Sequence, residues 1–291
     1  MRCRRLLLAA FVCIFCSAAY SQENLSVKWE ELTGPDFVNA ISQAKQTCAL
    51  PFGILEKHGP HMPIGTDLLN VRYAVLNAAQ KEYVVVFPEY YFGQIFEAQH
   101  QPGTVAYSVD IQLKLLQETV NEMARNGCKK IVIVNGHGGN ESLLPYFAQA
   151  QLATPKDFAV FIYGLPNLDV PGRPGKPDPN DMHAGQGETS HMMISHPELL
   201  HMDRIHQESG ADRNRLKLPD SLYTGIWWYA KFPDHFAGDP SRASKELGAF
   251  DMNTWINSLA TAFRAVKADQ DTLRLQNEYF EKTKDPLKTK Q

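Results

Sequence analysis

Three short stretches of the chain bring carboxylates and imidazoles together at spacings that could hold a metal. The first is Glu56-Lys57-His58-Gly59-Pro60-His61-Met62-Pro63-Ile64-Gly65-Thr66-Asp67. The second is Asn135-Gly136-His137-Gly138-Gly139-Asn140, and the third is His183-Ala184-Gly185-Gln186-Gly187-Glu188-Thr189-Ser190. Imidazole nitrogens and carboxylate oxygens together make the ligand set of zinc, manganese or iron(II). Glu56 and His58 are two apart, and on an extended segment with period two both face one site. Asp67 stands where a helix should begin; it either caps that helix or turns its carboxylate into the cleft. Gly138 and Gly139 remove bulk beside His137, so that backbone amides can approach a substrate or an anion. Two metals roughly 3.5–4 Å apart need a bridging carboxylate and activate a water held between them. The cluster supplies enough ligands for such a pair. Each residue also has an ordinary reading: Glu56 as a surface charge, His58 as a loop histidine, Asp67 as a cap, Glu188 as an acid favoured at a helix start. All of these would have to hold together for the site to vanish.

The elements that must carry these stretches alternate between two periodicities. Thr33-Gly34-Pro35 predicts a capped helix to about Gln46. A buried strand over 49–55 follows, then a helix through Leu68, Leu69, Val71, Ala74, Val75 and Ala78. Val84 to Phe87 is a short strand, 111–125 a helix with Leu115, Leu116, Val120 and Met123 on one side, and 131–134 another strand. Leu143, Leu144, Phe147 and Leu152 mark a helix, and 158–163 a further strand. Strands alternating with helices predict an α/β fold with a parallel sheet covered on both faces. In such sheets ligands gather at the carboxyl ends of the strands, where all three stretches fall. Residues 165–182 carry five of the chain's 18 prolines and predict a functional loop, and 247–284 predicts one long helix or two. There is no internal repeat and no low-complexity linker.

Composition excludes several classes. The chain has 291 residues, 44% of them hydrophobic, with 29 Lys+Arg against 32 Asp+Glu. That balance is globular and gives no reason to expect a nucleic-acid partner. Residues 1–21 read as a secretory signal peptide: basic Arg2, Arg4 and Arg5, an apolar run from Leu6 to Phe15, then small residues with Ala19 and Ser21 placed for cleavage. The run is too short for a stable membrane anchor. Cleavage near Ser21 takes the formal charge from −3 to −6, leaves a single domain over 22–291, and predicts a periplasmic or secreted protein. Cys48 and Cys128 then remain, each just before a predicted strand. If those strands are parallel neighbours the sulfurs could meet at their starting edge, as an oxidising compartment permits; otherwise they are two free buried thiols.

The three stretches, in this order, resemble the creatininase (creatinine amidohydrolase) family. The resemblance spans most of residues 48–195 and implies a three-layer α/β/α fold with a mostly parallel central sheet. It also implies two divalent metal ions per chain (zinc, manganese or iron), hydrolysis of non-peptide or unusual amide C–N bonds, and a homo-oligomer, often a hexamer. Carried over by position, Glu56, His58, Asp67 and His137 match metal ligands, with Asp67 as the bridge. Creatininase proper has a metal-binding glutamate where this chain has Gly139, and Glu188 is the best substitute. Glu97-Ala98-Gln99-His100-Gln101-Pro102-Gly103-Thr104 keeps a family frame with Ala98 where histidine is usual. Pro177-Asp178-Pro179 stands where creatininase places a pocket-closing aromatic. These departures argue against creatinine as the substrate.

The expectation is therefore an exported metal-dependent hydrolase of a small cyclic or N-acyl amide. His183 is the candidate proton carrier to the leaving nitrogen. Glu188 is expected as ligand or proton carrier, and Gly138, Gly139 and Asn140 as substrate-binding positions. A deformylase-like or lactam/lactone hydrolase of the same family is the second reading, and a non-catalytic exported binding protein the third. His191, His196, His201, His206 and His235 lack a ligand-like frame and read as structural. Trp227-Trp228-Tyr229 reads as pocket mouth, subunit contact or core.

Overall fold

The computed structural model describes residues 25–175, 178–219 and 221–290. The predicted signal peptide lies outside the described residues. Thr33 caps α1 (Gly34–Gln43), its hydroxyl accepting from the Asp36 amide at 3.4 Å, with Pro35 in the first turn. The strands are β1 (Thr47–Phe52), β2 (Val85–Val86), β3 (Lys130–Asn135) and β4 (Ala159–Tyr163). Between them run α2 (Thr66–Lys81), α3 (Val109–Arg125) and α4 (Leu143–Ala150). After the sheet come α5 (Gln186–Ser195), α6 (Trp227–Lys231), α7 (Lys245–Ala268) and α8 (Thr272–Thr283).

The four strands form one parallel sheet in the order β2-β1-β3-β4. Alternate side chains of each strand feed two separate cores. Leu50, Phe52, Ile131 and Ile133 pack with Ala40 and Ile41 of α1, Leu116 and Val120 of α3, and Leu144 and Phe147 of α4. Ala49, Val132 and Val134 face the other way, onto Val71 and Val75 of α2 and Trp255, Leu259 and Phe263 of α7. The architecture is thus three layers, α/β/α, as the resemblance implied. The helix after β1 covers one face and the helices around β3 cover the other, as right-handed crossovers in opposite directions require. The connections therefore diverge between β1 and β3, and a crevice opens there, outside the carboxyl ends of the strands.

Several boundaries differ from expectation; α1, for one, ends at Gln43 rather than near Gln46. The first strand ends at Phe52 rather than 55, because Gly53 lies against the α2 backbone, where a Cβ would come within 2.5 Å of the Leu68 Cα. Leu152 falls in a 3-10 turn (Gln151–Ala153) that follows α4. At the opposite edge Cys48 and Cys128 are joined by a disulfide, their Cα atoms 5.7 Å apart. The bridge forms because β1 and β3 are parallel neighbours, with Cys48 level with Ile131.

Candidate metal centre

Past Phe52 the chain runs on without regular structure through Glu56 and His58, whose side chains are fully buried in the crevice. Gly65 takes the N-cap position of α2, and Asp67, in the first turn, points its carboxylate inward instead of capping. His137 arrives directly after β3. Gly139 must be glycine here: a Cβ would sit 2.5 Å from His137 Nε2 and 3.1 Å from the Gln94 carbonyl. That packing leaves no space for a longer side chain at 139, while a carboxylate, Glu188, reaches the centre from α5. Gly138, by contrast, faces open space.

These side chains form two groups that share Asp67. Glu56, Asp67 and His137 form one, and His58, Asp67 and Glu188 the other; in each, the possible ligand atoms lie within 4.8 Å of one another. His137 Nδ1 is 2.7 Å from Glu56 Oε1 and 2.9 Å from Asp67 Oδ2. His58 Nε2 is 3.1 Å from Asp67 Oδ1 and 3.9 Å from Glu188 Oε2.

The fit to a cation follows from the second nitrogen of each ring. A carbonyl oxygen only accepts, so the nitrogen facing it carries the proton. His58 Nδ1 donates to the Glu56 carbonyl at 3.1 Å, and His137 Nε2 to the Gln94 carbonyl at 3.1 Å. In the neutral rings the remaining nitrogens, His58 Nε2 and His137 Nδ1, are then lone pairs aimed at carboxylate oxygens. Two of those oxygens, Glu56 Oε1 and Asp67 Oδ2, are buried and accept no hydrogen bond. Lone pairs facing anionic oxygen in a buried site repel unless positive charge lies between them. Backbone carbonyls that fix the ring tautomer are also the usual outer support of metal-bound histidine.

Proton binding expresses the same demand. Burial disfavours a charged His58, yet Asp67, Glu188 and Glu56 together outweigh it and raise its pKa to about 10. His137 is likewise raised well above the usual range: burial opposes the charge, and Glu56 and Asp67 overcome it. Burial would raise Glu56, but His137, His183 and His235 hold it well below the ordinary carboxylate range. A proton takes the place that a cation would fill.

Around this centre, His183 Nε2 donates to the Lys57 carbonyl at 2.8 Å, which leaves Nδ1 bare, 3.8 Å from Glu188 Oε2. Its neighbour Ala184 adopts a left-handed φ of 58° and donates its amide to Glu188 Oε2 at 2.6 Å, which aims that carboxylate. The Glu188 side chain is 31% exposed and marks the open side of the site. Asn140 does not face the crevice. It is fully buried, its Oδ1 accepting from the Gln94 amide at 3.0 Å and its Nδ2 donating to Asn135 Oδ1 at 3.3 Å. It holds the Gln94 carbonyl where His137 meets it.

His61 backs α5 through Thr189 Oγ1 at 2.8 Å, and burial, with His58 beside it, lowers its pKa to about 4. Ala98 is the buried residue of a 3-10 turn (Phe96–Ala98), packs against Ile54 and Ile95 and offers no chemistry. His100 Nε2 donates to the Pro233 carbonyl at 2.7 Å.

One expectation needs correction. His235, read from sequence as structural, touches the centre: it is 2% exposed and its Nε2 is hydrogen-bonded to Glu56 Oε2. Burial lowers its pKa to about 4 despite Glu56. Trp228 donates its Nε1–H to His235 Nδ1 at 2.8 Å and stands edge-on to His183. The signal that could have found His235 is a backbone pairing between His183 and Ala237, which the sequence does not show.

Comparison with known proteins agrees with the geometry. The family model described as creatininase, creatinine amidohydrolase, matches residues 30–263. Creatinine amidohydrolase of Pseudomonas putida is 26% identical over 262 residues, covering 80% of this chain and 95% of that protein. The mycofactocin precursor peptide peptidase of Mycolicibacterium smegmatis is 26% identical, covering 77% and 87%. Among solved structures, a manganese creatininase superposes with a TM-score of 0.71 at 23% identity, covering 84% of this chain and all of that one.

Proposed function

The chain belongs to the creatininase family, and from that premise we propose that it is an exported amidohydrolase. It cleaves the C–N bond of a small cyclic or N-acyl amide at a centre of two divalent ions. The observation that carries this reading is the shared carboxylate. Asp67 Oδ1 faces His58 and Asp67 Oδ2 faces His137, so two ligand groups meet on one residue. Glu56, Asp67 and His137 would hold one ion; His58, Asp67 and Glu188 would hold the other. Such a pair, when bound, supplies Lewis-acid polarisation of the amide carbonyl and an activated water.

The chain's own residues do the rest. Glu188 lies on the open side, so the substrate enters past it. His183 keeps Nδ1 bare by giving Nε2–H to the Lys57 carbonyl, so Nδ1 takes a proton and returns it to the departing nitrogen. Trp228 stands edge-on to that ring and limits its rotation. Gly138 leaves open space where a side chain would stand, which gives a substrate room beside His137.

Relatives support an amide rather than an ester: one is named for creatinine, one for a precursor peptide, and a third, from Methanothermus fervidus, is a deformylase 29% identical over 141 residues. The Cys48–Cys128 disulfide supports export, since such bridges persist in oxidising compartments. The protein is expected to work as a homo-oligomer, such as a hexamer, which light scattering of the purified chain would measure. The decisive experiment is elemental analysis of tag-free protein followed by a panel of cyclic amides, N-acyl and N-formyl amides, esters and lactones. Two ions per chain with turnover confined to amides is the expected result. No retained metal after reconstitution would leave a binding protein without this chemistry.

A further inference from the structure

His235 reaches the centre along a path of its own. Ala237 pairs antiparallel with His183, the two exchanging N–H···O bonds of 2.9 Å each, and His235 stands two residues earlier on the same segment. Its backbone adopts a left-handed φ of 52°. For a residue with a side chain that conformation is unfavourable and persists only where surrounding contacts over-determine it.

Those contacts are specific. An indole nitrogen only donates, so Trp228 Nε1–H, 2.8 Å from His235 Nδ1, requires Nδ1 to be a bare acceptor. The ring proton therefore sits on Nε2, and Nε2 faces Glu56 Oε2. Glu56 is thus divided: Oε2 is held by His235, while Oε1 accepts no hydrogen bond and points into the group formed with Asp67 and His137.

We propose that His235 is a positioning residue for Glu56, locked in its Nε2–H form by Trp228, so that one carboxylate oxygen is fixed and the other is presented to a cation. The inference rests on the reading of Glu56 as a metal ligand. It assigns a role to a residue 179 positions away in the chain. It also ties the first ion's affinity to α6, where Trp228 stands next to the exposed Tyr229.

The test compares wild type with His235→Ala, His235→Gln and Trp228→Phe. Zinc stoichiometry and affinity are measured against a competing chelator, and ring 15N spectra are recorded on the metal-free protein. Circular dichroism establishes that each variant is folded. Wild type should bind two ions and show His235 protonated on Nε2. His235→Ala should weaken one of the two ions by about 10–100-fold, the span usual for a partner of a metal ligand. His235→Gln keeps a donor for Glu56 and should recover most of that loss, which a merely space-filling role would not predict. Trp228→Phe should release the tautomer, seen as mixed Nδ1–H and Nε2–H signals.

Two ions held by His235→Ala at wild-type affinity would overturn the proposal, as would an Nδ1–H form in wild type. Should His235→Ala fail to fold, the tautomer and the metal affinity of Trp228→Phe decide, and wild-type values for both would overturn it. Wild type that binds no metal would overturn the ligand reading itself, an outcome distinct from a variant that binds as well as wild type.

Discussion

Helix α5 packs against both α2 and α7, and each of those helices buries a carboxylate close to it: Asp67 on α2 and Asp251 on α7. Asp251 is saturated. Arg173 donates Nε–H to Oδ1 and Nη2–H to Oδ2, both at 2.8 Å, and His191 of α5 adds a contact to Oδ2 at 3.3 Å. Burial would raise this carboxyl, yet Arg173 and His191 hold it below the usual range. Asp67 has the same burial and no arginine. Its two oxygens meet only the His58 and His137 rings, and Glu188, three positions before His191, adds a carboxylate beside them. The saturated pair clamps the proline-rich loop, through Arg173, onto the body of the protein. The unsaturated one holds open a place for positive charge. Equal burial with unequal satisfaction separates scaffold from site.

The comparison breaks most sharply at Asp67. Asp67→Ala removes the residue both groups share; metal content should fall below one ion per chain and kcat/KM by more than about a hundredfold, beyond what loss of an outer partner causes. Elemental analysis with amide kinetics reads both, and a fully metallated, active variant would end the bridge assignment.

Protons and metal should compete for the imidazoles. In the metal-free protein His58 holds its proton up to about pH 10 and His137 is raised as well. Metal uptake below that pH releases up to two protons, so affinity should climb by up to roughly a hundredfold per pH unit, the His58 share levelling off near pH 10. The sign for folding follows from the raised values. The stabilisation from these imidazolium ions is complete below the unfolded value near 6.5 and is lost as pH rises through the raised folded values, about 10 for His58. Chelator should therefore lower Tm more at pH 9 than at pH 6, and an equal drop at both would refute the linkage.

Asp251→Ala should behave oppositely to Asp67→Ala, costing about 3 kcal/mol in denaturant unfolding because Arg173 is left unpaired, with two ions still bound. Replacing Cys48 and Cys128 by serine should cost about 2–4 kcal/mol by releasing an 80-residue loop; metal content should not change, as the bridge is at the other end of the sheet. The finest contrast lies within one turn. Gly138→Ala should be nearly silent, while Gly139→Ala should displace the His137 ring and weaken metal binding, and equal effects would show that the turn is not read correctly.

Much of this was legible in the residue order. Glu56 and His58, two apart just beyond a strand, both reach the crevice, and His137 follows a strand whose apolar run marks it as buried. Other parts were not. Asp67 read equally well as a helix cap until Gly65 was seen to take that place. The disulfide stayed open because it depends on β1 and β3 being neighbours, and β2 intervenes between them in sequence. Asn140 looked like a substrate contact because it belongs to a glycine-rich turn, yet its amide is spent on Gln94 and Asn135.

The sequence by itself determined the alternation of strands and helices, the two-faced core and the set of acids and imidazoles at strand ends, because periodicity and strand-end position are local properties of a chain. Only the tertiary structure decided which carboxylate is satisfied and which is not. Arg173 reaches Asp251 across 78 residues and His235 reaches Glu56 across 179. Satisfaction of a buried charge depends on what arrives beside it in space, and no spacing along the chain encodes that arrival.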